Sequence, residues 1–454
     1  MAERRKRIKV IGGGLAGPEA ALQAAKFGCE VDLYEMRPTR STEAHQTSDF
    51  AELVCSNSLK SESENTAPWL LKQEMRRAGS ILLAEADASA VPAGHALAVD
   101  RVEFSRRVAE RIAAAPRITV HREEVTHLDE NDPGIITILA SGPLTSPALA
   151  AELQRLTGSD YLAFYDSISP IVAASTIDME RVYFAARYDK GTADYINCPF
   201  TREEYETFLD ALTAAEAVPA KEWEQIPTGN QQPTTVNYFE GCLPIEETAR
   251  RGRDTLRFGP MKPVGLTDPK TGRWPYAVVQ LRQENLRADS YNLVGFQNHL
   301  KFGEQNRVLK LIPGLENATF LRYGQIHRNT YINAPTLLTE TLQLKAHPSI
   351  MIAGQLSGVE GYTESIASGM LAGRYAAALA HGNTPTPAPR ASANGSLTHY
   401  ITHAEGKKFQ PANITFDLLV PLEEELRKKI RDKKERHRMQ CERALEAWDE
   451  WLKP

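Results

Sequence analysis

Three sets of residues in this sequence have types and spacings that suit chemistry. Gly12, Gly14 and Gly17 satisfy G-x-G-x-x-G. In such a turn the first glycine allows the bend, the second lets backbone N–H groups approach a pyrophosphate, and the third brings a helix close to a strand. Glu35 follows at the end of the next strand, where a carboxylate accepts hydrogen bonds from an adenosine ribose and repels a 2′-phosphate. FAD or NAD therefore fits better than NADP. A second glycine loop, Gly354 to Gly361, sits late in the chain before Tyr362. The third set is the cysteines. Cys55 lies in a polar loop, Leu53 to Ser58, and Cys242 lies in Phe239 to Glu246, where glycine and proline tighten a turn flanked by acids. By spacing alone either is a buried thiol or a nucleophile. Cys29 begins a core strand, Cys441 falls on a terminal helix, and Cys198 precedes Pro199 with no evident partner.

Positioning these residues requires an α/β frame. Lys9 to Glu35 reads as strand, glycine turn, helix and strand, with an alanine-rich helix over Leu15 to Ala25 and a stop at Gly28. The helix N-terminus faces the diphosphate with its partial positive charge, and Pro18 is tolerated in the first turn. Further helices are expected over Pro68 to Ala78 and Val99 to Ala114, with strands over Ile118 to Val120 and Ile135 to Leu139. Gly142, in Ser141-Gly142-Pro143, either returns backbone to the cofactor or makes an ordinary turn. Ile350 to Ala353 is a buried strand, followed by the late glycine loop and a helix from Tyr362 to about Ala380. This second strand, loop and helix separates a flavoprotein from a simple NAD enzyme, since its helix N-terminus suits the pyrimidine edge of a flavin. The expected cofactor set is Gly12, Gly13, Gly14, Leu15, Ala16, Gly17, Glu35, Gly142, Gly354, Gln355, Gly361 and Tyr362.

The fold expected is a Rossmann-like FAD-binding domain of the glutathione-reductase-like kind, formed by residues 1–180 and 324–420, with an inserted mixed α/β domain over 181–323. Residues 383–396 read as a Pro/Ala/Ser linker. Residues 421–454 form a basic helix, with eight Lys or Arg between Arg427 and Arg438 that serve as a solvated face or as a phosphate contact. With 454 residues, 42% hydrophobic and 24% charged, the composition is that of an ordinary soluble protein. No run reaches transmembrane length and the basic start lacks a signal-peptide core, so a cytoplasmic protein without membrane contact is expected. Five scattered cysteines without a C-x-x-C pair argue against a disulfide framework or a zinc site, and no metal is expected. The net charge of -5 restricts any nucleic-acid surface to a local patch.

Five segments in order, IGGGLAGPEAA, LVCSNSLKS, FEGCLPIEE, GFQNHLKFGEQ and AGQLSGVEGYTESIASG, resemble the folate- and FAD-dependent tRNA uracil-5-methyltransferases, the TrmFO family. The resemblance runs from Val10 to about Pro411. The flavin domain is also similar to flavoproteins that modify wobble uridine, but this chain is shorter and its cysteine segments favour the methyltransferase. The resemblance implies methylenetetrahydrofolate as carbon donor, FAD reduced by NADPH or NADH, and a T-loop uridine of tRNA as substrate.

The chemistry agrees with that implication. Uracil C5 is a poor nucleophile until a thiolate adds at C6. The new methylene must then be reduced, which is hydride chemistry suited to reduced flavin. The resemblance makes Cys242 and Cys55 the catalytic pair, Cys242 as the thiolate and Cys55 as its partner, or the reverse. For tRNA contact the candidates are the terminal basic helix and Arg250, Arg251, Arg253 and Lys262. A wobble-uridine enzyme and a tRNA-binding chaperone are the alternatives.

Overall fold

The computed structural model describes residues 6–453 apart from 43, 131, 159–161, 190, 219–242, 407 and 408. Arg7–Ile11 is an inner strand, with Ile8, Val10 and Ile11 buried. Its parallel neighbours are Val31–Tyr34 and Ile135–Leu139. Ile118–His121 and Ile350–Ile352 close the two edges, so the late strand joins the same five-stranded parallel sheet as the first.

Two helices lie together against this sheet. Ala16–Lys26 follows the first strand, and Tyr362–Ala380 follows the last. A Cβ added to Gly369 would lie 2.3 Å from the Ala16 carbonyl oxygen, and one added to Gly373 would lie 2.4 Å from that of Ala20. The helices thus touch backbone to backbone, which only these small residues permit.

The second unit is antiparallel. Tyr183–Ala185, Tyr195–Phe200, Ala277–Gln283, Ser290–Leu293, Ile171–Ala173 and Phe320–Arg322 form a six-stranded sheet in that order. It has its own core, including Phe200, Phe208, Leu281 and Phe296. Ile171–Ala173 pairs inside this sheet, so the second unit begins ahead of residue 181. Leu162–Ser167 and Ile326–Tyr331 pair antiparallel as the chain enters and leaves it.

The halves are joined by buried polar contacts. Arg282 Nε donates to Asn57 Oδ1 at 2.9 Å, and Asn57 Nδ2 donates to the Gln283 carbonyl at 2.9 Å. Arg101 reaches Glu284 at 2.7 Å.

Some local expectations are corrected. Val99 ends a strand, Ala96–Val99, and the helix is Arg101–Ala113, because Asp100 caps it by accepting from the N–H groups of Val102 and Glu103. Residues 383–396 are no loose linker: Ala388 and Ala393 enter the main core, and Ala393–His403 is a helix capped by Ser392. Their small side chains, poor material for a core by composition, pack because neighbouring elements cover them. The basic terminal run is divided between Glu424–Lys429 and Lys433–Leu452. The second of these helices buries Cys441, Ala444 and Trp448. Among the described residues, no helix is long and apolar enough to cross a membrane.

Two buried carboxylates serve distant helix starts. Glu19 accepts from the N–H groups of Ile81 and Leu82 at the start of Ile81–Ala88. Glu74, on Ala67–Ala78, accepts from Ala393 N at 2.6 Å and from Asn394 N at 2.9 Å. Burial pushes the Glu74 carboxyl from its ordinary 4.5 up to about 7, outweighing these donors. Its folded-state pKa is therefore raised, so its stabilising contribution is full below pH 4.5 and is lost as pH rises through 7. Glu74→Gln removes this titration. In thermal or urea unfolding, wild-type stability should fall relative to the variant between pH 5 and 8, with a limiting slope of about 1.4 kcal/mol per pH unit. Parallel curves would disprove the assignment.

Candidate active site

At the C-terminal ends of the parallel strands a groove encloses about 1020 Å³ of open space, mouth included. This is where an α/β sheet of this topology takes its ligand. Gly12, Gly13, Gly14, Leu15, Ala16 and Glu35 line one part, Ser141 and Gly142 another, and Gly354, Gln355, Tyr362 and Ser365 the rest. Each glycine of the first turn has a distinct environment. Gly12 has φ +117°, and a Cβ there would lie 2.3 Å from the Ala140 carbonyl oxygen. A Cβ on Gly14 would meet nothing within 4 Å, so its backbone is open to the groove. A Cβ on Gly17 would lie 1.8 Å from the Gly12 carbonyl oxygen, so Gly17 is set by helix-to-strand packing and does not line the groove.

Both helix N-termini that meet here, at Ala16 and Tyr362, lack a side-chain cap. Their first N–H groups remain for an anionic ligand. An elongated dinucleotide carrying a diphosphate fits these residues, with the Gly12–Ala16 turn to hold it and Glu35 for its ribose.

Glu35 is itself held in place. Its Oε2 accepts from Gly13 N at 2.8 Å, and its Oε1 accepts from both the backbone N and the Nε of Arg37 at 2.9 Å. Burial pushes the carboxyl up, but the Arg37 hydrogen bond and charge outweigh it and hold the pKa below the ordinary value. An ionised carboxylate keeps further lone pairs for ribose hydroxyls.

Tyr362 connects the groove to Cys55. Its hydroxyl oxygen accepts from Cys55 N at 2.8 Å and Ser56 N at 3.1 Å, across some three hundred residues of chain. Burial, then the nearby Cys55, push the phenol above its ordinary value, so its own proton stays available for donation. Around this contact stand three arginines. Arg101 donates to the Leu53 carbonyl at 2.7 Å, Arg282 to Ser56 Oγ at 2.9 Å, and Arg322 to the Ala44 carbonyl at 3.3 Å. Gly361, at φ +110°, lies beside this region rather than on the groove wall, pressed by Glu364 and Lys60. The other described cysteines are elsewhere. Burial raises the pKa of Cys198 and pushes that of Cys441 up to about 12, and Cys29 is buried 3.8 Å from His381 Nε2.

The family model described as glucose inhibited division protein A matches residues 7–384. A protein of Koribacter versatilis, named methylenetetrahydrofolate--tRNA-(uracil-5-)-methyltransferase TrmFO, is 69% identical over 446 residues, spanning 98% of each chain. The chain belongs to the TrmFO family. Relatives of the same name from Solibacter usitatus and Enterococcus faecalis are 62% and 54% identical, over 98% and 97% of this chain and 98% of each of theirs. The fold is that of Aquifex aeolicus GidA, at a TM-score of 0.67 and 16% identity, covering 99% of this chain and 74% of that one.

Within this TrmFO-family chain, Cys242 lies outside the described residues. The described chain resumes just after it, where Ile245 N donates to the Gln297 carbonyl and Glu246 accepts from His299 N at 2.9 Å. Reading the sequence missed Arg37, Arg101, Arg282 and Arg322. Arg37 had a signal, since it stands two positions beyond Glu35, the carboxylate expected from sequence to meet a ribose. The other three had none, because only the fold collects them.

The glycine environments separate two roles. Gly14→Ala should leave the thermal stability of the flavin-free protein nearly unchanged while weakening FAD about tenfold or more, roughly 1.4 kcal/mol. Gly17→Ala should instead destabilise the fold itself by about 2 kcal/mol or more, through backbone overlap. Titration with FAD and thermal melts of the flavin-free variants check both, and equal loss of stability in the two would refute the distinction.

Proposed function

We propose that this chain methylates C5 of a T-loop uridine in tRNA, taking the carbon from methylenetetrahydrofolate and the reducing equivalents from FAD reduced by NADPH or NADH. The observation that carries the reading is the groove for an elongated dinucleotide, joined through Tyr362 to the Cys55 loop, in a member of the TrmFO family. When bound, FAD supplies the hydride chemistry that turns a methylene at C5 into a methyl, which no side chain can do. Gly12 to Ala16, Gly354, Gln355 and Tyr362 would hold it.

The chain's own residues supply the rest. The Cys242 thiolate adds to uracil C6, which makes C5 enolate-like and able to attack the methylene carbon. Cys55 assists removal of the C5 proton as the methylene carbon's bond to the folate nitrogen breaks and tetrahydrofolate leaves. Once the methylene has been reduced to methyl, departure of the Cys242 sulfur from C6 restores the C5–C6 double bond of the ring. Arg101, ion-paired with Glu284, fixes the backbone of the Cys55 loop through the Leu53 carbonyl. Its positive charge, with that of Arg322, favours negative charge developing nearby. The target base leaves its stack to reach this pocket. Such an enzyme works in the cytoplasm, with its tRNA.

For the RNA, support comes from exposed residues of the second unit. Arg250, Arg251, Arg253 and Lys262 are exposed, as are Phe258 and Trp274, and planar rings among cations suit unpaired bases and phosphates. Arg253 is drawn toward Asp210 and Glu206, and Arg250 toward Glu247, so each exchanges a surface ion pair for a phosphate on binding. Lys433, Lys434 and Arg436 offer a second cationic surface.

Mass spectrometry of undermodified tRNA after incubation with the protein, FAD, methylenetetrahydrofolate and NADPH tests the reaction. A folate-dependent gain of one methyl on a T-loop uridine is expected, lost in Cys242→Ala and in Cys55→Ala. No gain, or a folate-independent change at the wobble position, would overturn the reading. Separately, reversing the charges of Lys433, Lys434 and Arg436 should lower tRNA affinity and flatten its dependence on salt. Unchanged affinity and slope would remove that helix from the interface.

A further inference from the structure

We propose that Glu340, His399 and His403 form a binding site for one divalent transition-metal ion of the zinc class. His399 and His403 are four residues apart on the helix Ala393–His403 and so share one face. Their rings stack at 4.2 Å, 17° from parallel. Glu340 comes from a separate segment, beyond the short helix Ala334–Leu337. Its Oε1 lies 3.2 Å from His399 Nδ1 and 3.8 Å from His403 Nδ1. One nitrogen of each ring and one carboxylate oxygen fall within 4.8 Å of one another. None of the three lines the dinucleotide groove.

The donor set selects the metal. Two imidazoles and one carboxylate suit Zn²⁺, Co²⁺ or Ni²⁺, whereas Mg²⁺ and Ca²⁺ prefer oxygen throughout. Bonds of about 2.1 Å in a tetrahedral site place ligand atoms roughly 3.4 Å apart, so side-chain rotation closes the present spread. The side chains keep 38%, 51% and 42% exposure for His399, His403 and Glu340, which leaves an entry path and room for water as a further ligand. Support behind the ligands is present. His403 Nδ1 lies 3.2 Å from the His399 carbonyl and 2.9 Å from Thr402 Oγ1, contacts that hold the ring in place beside His399. The helix carrying both histidines is pinned at its start by Glu74 and Ser392, so the metal would clip its far end to the Glu340 segment. Cysteine spacing could not reveal such a site, because no cysteine takes part and Glu340 lies far from the histidines in sequence.

The test uses the full-length, FAD-loaded protein, stripped with a chelator and dialysed against Zn²⁺ alone, with bound metal counted by mass spectrometry. One equivalent is expected, together with a higher Tm. Substituting Co²⁺ should produce the visible bands of a low-coordinate site. Glu340→Gln should weaken Zn²⁺ about tenfold or more, and His403→Ala should weaken it further and abolish the Tm shift. An unchanged flavin spectrum in each variant shows that the fold persists. Failure to bind Zn²⁺ at about 100 μM would overturn the proposal, and so would undiminished binding in the triple variant Glu340→Gln, His399→Ala, His403→Ala.

Discussion

The closest constraint in this molecule is the contact between the helices Ala16–Lys26 and Tyr362–Ala380, which carry opposite ends of the chain to one place. Gly369 and Gly373 let the second helix rest on the backbone of the first, so neither helix can shift without overlapping carbonyl groups. That contact fixes where both helix N-termini point, and both point into the same groove. Because the two helices follow strands of one parallel sheet with only Ile135–Leu139 between them, the ligand site depends on residues more than three hundred positions apart. The groove is therefore a product of long-range packing, even though each of its glycine loops is local.

Buried carboxylates extend the same logic to the rest of this unit. Glu19 and Glu74 meet the first N–H groups of helices to which they are not joined in sequence. A helix N-terminus carries partial positive charge and unpaired donors, so an acid there completes the backbone hydrogen bonding at the interface. Burial opposes ionisation at both positions. The first of these contacts joins two helices within the flavin fold, and the second ties the helix Ala393–His403 to it. Trp448 adds to them by donating its indole N–H to the Glu74 carbonyl at 2.7 Å.

What could be read from the sequence was what short-range patterns encode. The strand at Ile135–Leu139 and the helices near Ala16, Ala67 and Tyr362 follow from hydrophobic periodicity, glycine stops and buried runs. The glycine turn could be divided into roles residue by residue, because each role is a backbone requirement. Composition misled where tertiary cover decides. Alanine and serine around Ala388 to Ser396 resemble a linker until other elements bury them. Periodicity alone puts Val99 in the helix, because it takes no account of Asp100 as the cap. The arginines around Cys55 carry no pattern at all, since Arg101 comes from a helix of the first unit while Arg282 and Arg322 come from two strands of the antiparallel sheet.

The Arg282–Asn57 contact has a consequence for how such a chain can change. Each partner is almost fully buried, one on the antiparallel sheet and the other on the loop that carries Cys55. Losing either partner would leave a buried donor, Arg282 Nε, or a buried acceptor, Asn57 Oδ1, without its hydrogen bond at the seam. The second unit is thus not a portable cassette. Exchanging it between homologous chains requires that both halves of the clamp travel together, which makes recombination across this seam harder than recombination within either sheet.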